Sequence, residues 1–413
     1  MDKHIITNSM SQPLTRDDCT IMRGIAICFV LFHNFFLHVY DIPKGCEFYF
    51  DPTGNDMLAH LINTTRLRAV IGFFTHYSTF VDMSAFTFLS GYGLVIKYER
   101  GAAPMPAFMP FVRHHYRKLA SMMAAGLAMY FIYLCFAPDR SLVEFVPRIL
   151  PDLTLLANFC PRPESAILPF IYWFLGMIFQ LYAIYRLAIW RRPTTVLLVL
   201  VVAALLLQAI YLSPDDTTTL LYLRATAIGW LLPFALGILY ARHPIRLHTG
   251  ISSTDVAAHD SLRSKLIYIG VFIISSILIL LSSHSPTLWL IIPIFACAHI
   301  VAVIHLLPTI LRAIFRPIGI LSATLYVIHP TLRDIFICYF EHTPYLLTHF
   351  AYFLLSTFTL ALAWHHRPQL SFRWDCDAGR SDSAQNTTYL RHIFTFTARQ
   401  TNPWESAWLR RRR

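Results

Sequence analysis

The chain has 413 residues, of which 56% are hydrophobic and only 14% charged, with a formal net charge of +11. Soluble domains carry about 25% charged residues, so this deficit excludes an ordinary water-soluble domain and points to lipid. The positive charge does not indicate a nucleic-acid surface either, because the basic residues fall in short gaps between apolar runs and in the last fifty or so positions.

A spanning helix needs about 20 mostly apolar residues. Ten segments qualify: 20–38, 72–96, 117–137, 167–189, 194–212, 220–240, 266–282, 287–306, 317–339 and 345–364. The predicted fold is all-α, a polytopic membrane protein of about ten transmembrane helices. The first run lies behind a polar N-terminus and lacks an A-x-A-like cleavage site, so it reads as the first transmembrane helix and not as a cleaved signal. The ninth is interrupted by Pro330, Arg333 and Asp334 and is expected to break into two half-helices. Residues 1–19 read as a cytoplasmic N-terminus, 20–364 as the transmembrane domain and 365–413 as a basic, disordered cytoplasmic tail, with Arg410 to Arg413 placed to touch anionic lipid.

Orientation follows from where Lys and Arg fall. With the N-terminus inside, fourteen lie in inner loops: Lys97, Arg100, Arg113, Arg117, Lys118, Arg186, Arg191, Arg192, Arg242, Arg246, Arg263, Lys265, Arg312 and Arg316. Six lie outside: Lys44, Arg66, Arg68, Arg140, Arg148 and Arg162. An even helix count places the C-terminus inside as well. The two longer outer loops, 39–71 and 138–166, are long enough to cover an outward-facing site. Eight cysteines never form CxxC, so neither a zinc site nor a disulfide framework is expected, and no metal is assigned.

Ionisable groups inside a span cost roughly 2.5–3.5 kcal/mol each on insertion scales, which marks them for function. They are His33, His76, Asp82, Arg224, His299, His305, His329, Arg333 and Asp334. His33 lies ten residues after Arg23, about 15 Å along a helix, and so in the outer half of the membrane. Asp82 needs a partner in lipid, and His33 and Arg224 are the candidates. The run FLSGYGL places Ser90, Gly91, Tyr92 and Gly93 on the inner half of the second helix, where small residues admit a close neighbour. The cluster FVRHHYRKL, with Arg113, His114, Arg117 and Lys118, opens the third helix and suits a phosphate-bearing donor; an ordinary positive-inside anchor explains it equally well. Tyr172 and Trp173 suit an interfacial aromatic belt. Gln180 and Tyr182 need hydrogen-bond partners, and Pro233 with Gly237 is spaced to kink the sixth helix. Ser322, Thr324, Tyr326 and His329 make the ninth helix unusually polar.

In order, these pieces match a family. Arg-Gly-x-Ala opening the first helix, a His ten residues after that Arg, a Phe-rich run ending Leu-Ser-Gly-Tyr and a basic cluster opening the third helix resemble the acyltransferase 3 family of integral membrane proteins. Trp-Phe-Leu at 173–175, Leu-Pro-Phe-x-x-Gly at 232–237 and Ser-x-x-x-Tyr-x-x-His at 322–329 follow in the expected order, and the resemblance covers about residues 14 to 364. It implies ten core helices in the cell (inner or plasma) membrane. It also implies transfer of an acyl group, commonly acetyl, from cytoplasmic acyl-CoA to a hydroxyl of a cell-surface or lipid-linked carbohydrate. Acyl-CoA is then a co-substrate and no cofactor is permanently bound; the partners are a carbohydrate or glycolipid acceptor and membrane lipid, not nucleic acid.

Carried over by position, His33 is the catalytic histidine and Arg23 its companion. Asp82 or Asn34 is expected to orient the imidazole. Arg113, His114, Arg117 and Lys118 form the donor-binding element, although the arginines stand four apart where the family has a tighter Arg-x-x-Arg spacing. Ser90, Tyr92, Trp173, Tyr326 and His329 are the further expected substrate- or donor-binding positions. Asp82 and Ser84 stand where the family is more apolar. A second reading of the same polar residues is a transporter or flippase of a glycan or anion, with His33, Asp82 and Arg333 lining its pathway. The absence of an internal repeat argues mildly against it.

Overall fold

In the computed structural model the described residues are 14–38, 46–52, 66–101, 103–137, 142–212, 217–243, 254–340 and 345–365. The tail 366–413, most of the first long outer loop and the basic cluster at the C-terminus lie outside them. The elements in chain order are α1 (Arg16–Phe36), α2 (Arg66–Val95), α3 (Phe108–Phe136), α4 (Leu142–Thr154), α5 (Trp173–Ile184), α6 (Thr194–Ile210), α7 (Thr218–Ala225), α8 (Ala227–Arg242), α9 (Thr254–Ser282), α10 (Ile292–Leu306), α11 (Thr309–Phe340) and α12 (Leu346–His365). No strand occurs among the described residues. The protein is an all-α polytopic membrane protein.

Seven helical stretches are long and apolar enough to cross a bilayer, and an eighth results if α7 and α8 count as one span bent by 44°. Among the described residues this is fewer than the ten segments read from the sequence. Two of the ten segments, α6 and α10, are apolar but hold only 17 and 15 residues. At 1.5 Å per residue they fall short of a hydrocarbon core about 30 Å thick. Proline sets their limits: Pro193 caps α6, and α10 opens on Pro293 and ends before Pro308.

Two other expectations on helix breaks exchange places. The helix carrying Pro330 is continuous over 32 residues. Proline removes a backbone donor and loosens the turn behind it. Here side chains bond that turn: Tyr172 Oη donates to the Val327 carbonyl at 2.7 Å, and His329 Nδ1 bonds the Leu325 carbonyl at 3.1 Å. The sixth predicted segment breaks instead at Thr226, seven residues before Pro233, which sits inside an unbroken α8. At that break Asn158 Nδ2 donates to the Ala225 carbonyl at 2.6 Å, and Gln180 Oε1 accepts from Ala227 N at 3.0 Å. Thr226 caps α8 through its own hydroxyl.

The core of the bundle is α1, α2, α8 and α11. Within the apolar window of α2, 89% of residues are buried, against 11% in α9 and 22% in α12, which leaves those two helices to face lipid. α1 and α11 touch backbone to backbone. A Cβ on Gly24 would stand 2.1 Å from the Phe315 carbonyl, and one on Gly319 would stand 1.8 Å from that of Thr20. Gly91 and Gly237 make the same kind of crossing between α2 and α8. The Thr15–Asp18 capping box starts α1, and its acids are shared with α11: Asp18 pairs with Arg312, and Asp17 with Arg316 at 2.7 Å. This end of the bundle, with Glu99 bridged to Arg242 at 2.7 Å, is termed the basic end below.

Gly319→Ala is expected to lower thermal stability by about 1–3 kcal/mol in detergent, because the α1–α11 contact has no room for a methyl. Gly270→Ala, with nothing within 4 Å, is the control and should leave stability unchanged or raise it by up to about 1 kcal/mol. Asp152 in α4 is buried, its Oδ2 accepts from Leu168 N at 3.3 Å, and burial pushes its carboxyl up to about 8. The folded state therefore holds a proton that the unfolded state has released above its ordinary value near 3.8, so stability falls as pH rises from about 4 to about 8. Asp152→Asn should melt higher than the parent at pH 8, with the difference vanishing near pH 4.

Candidate active site

The polar groups of the half away from the basic end converge on His33. Its ring is 3% exposed. α2 runs alongside α1 and presents Thr75, Thr79 and Asp82, spaced i, i+4 and i+7 on one stripe. His33 Nδ1 lies 2.8 Å from Thr79 Oγ1 and 3.4 Å from the Thr75 carbonyl. Thr79 Oγ1 spends its own proton on the Thr75 carbonyl at 2.9 Å. A carbonyl can only accept, and a hydroxyl that has donated its proton can only accept again. By this accounting the imidazole proton resides on Nδ1 and the lone pair on Nε2. Among the described residues Nε2 has no hydrogen-bond partner. Facing it at 3.9 Å is Glu47 Oε2.

Glu47 belongs to the loop between α1 and α2. Two contacts seat this stretch: Arg224 Nε donates to the Glu47 carbonyl at 2.7 Å, and the Phe48 ring packs edge-on against Trp173 with centroids 5.0 Å apart. Arg224, 3% exposed at the end of α7, is held by further contacts. Its Nη1 donates to Gln208 Oε1 at 3.2 Å, and its guanidinium lies 4.5 Å from the Trp289 ring centroid and 5.2 Å from that of Trp230. Trp230 Nε1 donates back to the Arg224 carbonyl at 2.8 Å. Burial pushes the Glu47 carboxyl up to about 7, opposed by its own backbone amide and by Arg224.

On the other side of His33 stand α11 and the turn before α5. Tyr326 Oη bonds the Ile171 carbonyl and Tyr172 Oη bonds that of Val327, a reciprocal stitch that fixes Trp173 beneath Phe48 and 5.5 Å from Trp230. Tyr172 and Trp173 are therefore core residues, 0% and 1% exposed, and not an interfacial belt. Their hydroxyl and carbonyl bonds are made inside the bundle, which removes the need for water. His329 is fully buried with Nε2 unpartnered. Arg333 donates to Asp334 Oδ1 through Nε at 2.9 Å and Nη2 at 2.7 Å, and Tyr130 Oη caps Asp334 Oδ2 at 2.9 Å. Arg333 and His76 both lie within electrostatic reach of His33.

Of the sequence-derived positions, Trp173 joins the surroundings of Glu47 through Phe48, and Tyr326 and His329 pair on α11 with ring centroids 5.7 Å apart. Asp82 lies one turn from Thr79 toward the basic end, and its Oδ1 accepts from Met83 N. No hydrogen bond or ion pair among the described residues joins it to His33 or Arg224. Asn34 Nδ2 donates to the Val30 carbonyl at 3.0 Å on its own helix. The imidazole is oriented by Thr79, not by Asp82 or Asn34. Gln180, expected to need a partner, finds it at the α7–α8 break.

The remaining positions sit toward the basic end. Arg23, 8% exposed, donates to the Cys19 carbonyl and the Thr20 hydroxyl, both at 3.3 Å. Ten residues of continuous helix, about 15 Å, separate it from His33. Ser90 Oγ donates to the Phe86 carbonyl, and Tyr92 Oη to that of Leu14 at 2.8 Å. Arg113, His114 and Arg117 are exposed on the first turns of α3, with Lys118 half-buried beside them.

Glu47 and Thr79 were not singled out by sequence reasoning. Glu47 sits in a polar loop, where a carboxylate is unremarked. A signal did exist for Thr79: four hydroxyls, Thr75, Tyr77, Ser78 and Thr79, in five residues of a spanning run.

A bundle of this kind, all-α among its described residues and with seven or eight stretches long and apolar enough to span, defines a multi-pass membrane protein. Residues 18–366 match the family model described as an acyltransferase domain, and the chain belongs to that family, acyltransferase 3. No curated protein and no solved structure was found to match the chain.

Thr79→Val keeps the volume and deletes the acceptor for Nδ1–H. Acyl transfer by this variant is expected to fall by roughly 10- to 100-fold with an unchanged melting temperature. Labelled acyl incorporation in membranes, alongside a thermal melt of the purified variant, checks both halves.

Proposed function

We propose that this acyltransferase moves an acetyl group from acetyl-CoA on the cytoplasmic side to a hydroxyl of a cell-surface or lipid-linked carbohydrate, with His33 as general base. The observation that carries the reading is the pairing at His33, from which the tautomer follows by hydrogen-bond accounting. Nδ1 lies against Thr79 Oγ1 and the Thr75 carbonyl, which accounts for a proton there, and among the described residues Nε2 has no hydrogen-bond partner. A neutral imidazole held this way is suited to take a proton from an alcohol near neutral pH.

The step balances without a further reactant. The acceptor hydroxyl passes its proton to Nε2 as its oxygen bonds to the thioester carbonyl carbon. The tetrahedral intermediate then expels the CoA thiolate, which takes the proton back from the imidazolium. The products are an ester and free CoA. The exposed cations Arg113 and Arg117, with His114 and Lys118, are suited to hold the donor's phosphates at the basic end, and the extended pantetheine arm carries the thioester toward the depth of His33. Placing the basic end in the cytoplasm agrees with the distribution of Lys and Arg, and the cell (inner or plasma) membrane is the compartment in which both substrates meet.

His33→Gln preserves polarity and approximate shape but supplies no base. It should reach the membrane in normal amount and lose transfer by roughly 10²- to 10⁴-fold. The measurement is incorporation of acetyl label from acetyl-CoA into membrane-associated carbohydrate, with mass analysis of the cell's polysaccharides. Transfer retained at the parental rate would remove His33 from the mechanism.

A further inference from the structure

Glu47 lies outside both the motif-derived site and the family-derived one. It belongs to a loop, yet its backbone is gripped by Arg224 at 2.7 Å and its neighbour Phe48 is wedged against Trp173. These contacts aim its carboxyl at the one ring nitrogen of His33 that lacks a hydrogen-bond partner. The separation of 3.9 Å is too long for a direct hydrogen bond and short enough for two charges to act strongly on each other. A hydroxyl oxygen donating to Nε2 would therefore sit beside Oε2.

We propose that Glu47 completes the reaction centre: the acceptor's hydroxyl donates to His33 Nε2 from the side of the Nε2–Oε2 line, and the carboxylate stabilises the imidazolium formed when the hydroxyl proton passes to Nε2. The inference rests on the reading of His33 as general base. Before proton transfer the ring is neutral and gains little from the carboxylate. Afterwards opposite unit charges face each other in a largely buried site. The interaction therefore favours the transition state over the ground state, which is what lowers a barrier. The surroundings make such a counter-charge necessary. Arg333 and His76 both lie within electrostatic reach of the ring, and neither favours an added positive charge there. Arg333 is itself neutralised by Asp334. Among the described residues, Glu47 is the one carboxylate within 4 Å of the imidazole. Arg224 acts as a positioning residue, because its bond is to the Glu47 carbonyl and its contacts to Gln208, Trp230 and Trp289 fix where that bond is made.

The test uses the full-length protein in membranes at pH 8, where the Glu47 carboxyl is ionised. Acetyl-labelled acetyl-CoA is titrated, and label entering membrane carbohydrate is measured for the parent, Glu47→Gln and Glu47→Asp. Glu47→Gln is expected to lower kcat by roughly 10- to 100-fold while the apparent KM for acetyl-CoA stays within about twofold and the melting temperature holds. Glu47→Asp, which keeps the charge and retracts it by one methylene, is expected to recover part of the loss. Parental kcat in Glu47→Gln would overturn the assignment. So would an equal loss in Glu47→Asp accompanied by a lower melting temperature, which would mark the residue as packing. If the parent itself incorporates no label, both the transfer reading and the role of Glu47 fall; if the parent is active and Glu47→Gln matches it, only the role of Glu47 falls.

Discussion

The hydrogen bond between His33 and Thr79 ties α1 to α2 in the half of the bundle away from the basic end. Hydrocarbon offers no water to a polar group, so each one must find its partner inside the protein. His33 finds one on Nδ1 and none on Nε2. That asymmetry gives the ring a direction. α2 supplies the acceptor because its hydroxyls repeat at helical spacing along the face turned to α1. The close α1–α11 crossing at Gly24 and Gly319 keeps the first helix from rotating away.

The same demand for internal partners explains why so many side chains that look functional prove to be stitched. Tyr172, Tyr326, Asn158, Gln180, Gln208 and Arg224 each bond backbone or another buried side chain, and together they hold two irregular places in the membrane-depth backbone. One is the turn leading into α5; the other is the break at Thr226. Irregular backbone at such depth is tolerated only where protein surrounds it, and here these residues surround it. The aromatic rings packed about Arg224 serve the same end, presenting π faces where a lone guanidinium would otherwise meet lipid.

Much of this was legible in the sequence. Each of the ten apolar segments falls on a helix or the bent pair, and the acyltransferase 3 family match covers nearly the span that the motifs implied. Hydrophobic run length reports burial, but not whether a helix reaches from face to face, so α6 and α10 read as spans although prolines cut them short. The position of a break was misread for a related reason. Proline is visible in a sequence, whereas the partners that close the turn at Pro330 and open the one at Thr226 come from residues far away in the chain. Asp82 was nominated because a carboxylate in an apolar run stands out. Glu47 was passed over because its loop is polar, and only the fold carries that loop to the imidazole. Side-chain chemistry within a span is thus readable locally, but pairing across spans is not.

The break at Thr226 also bears on how the chain is made. Its exposed carbonyl at Ala225 is bonded by an asparagine 67 positions earlier, and its free amide at Ala227 by a glutamine 47 positions earlier. A ribosome delivers both before the interrupted segment leaves the exit tunnel. The polar interruption therefore meets ready-made partners on arrival in the bilayer, and the order of synthesis does for this span what a chaperone would otherwise have to do.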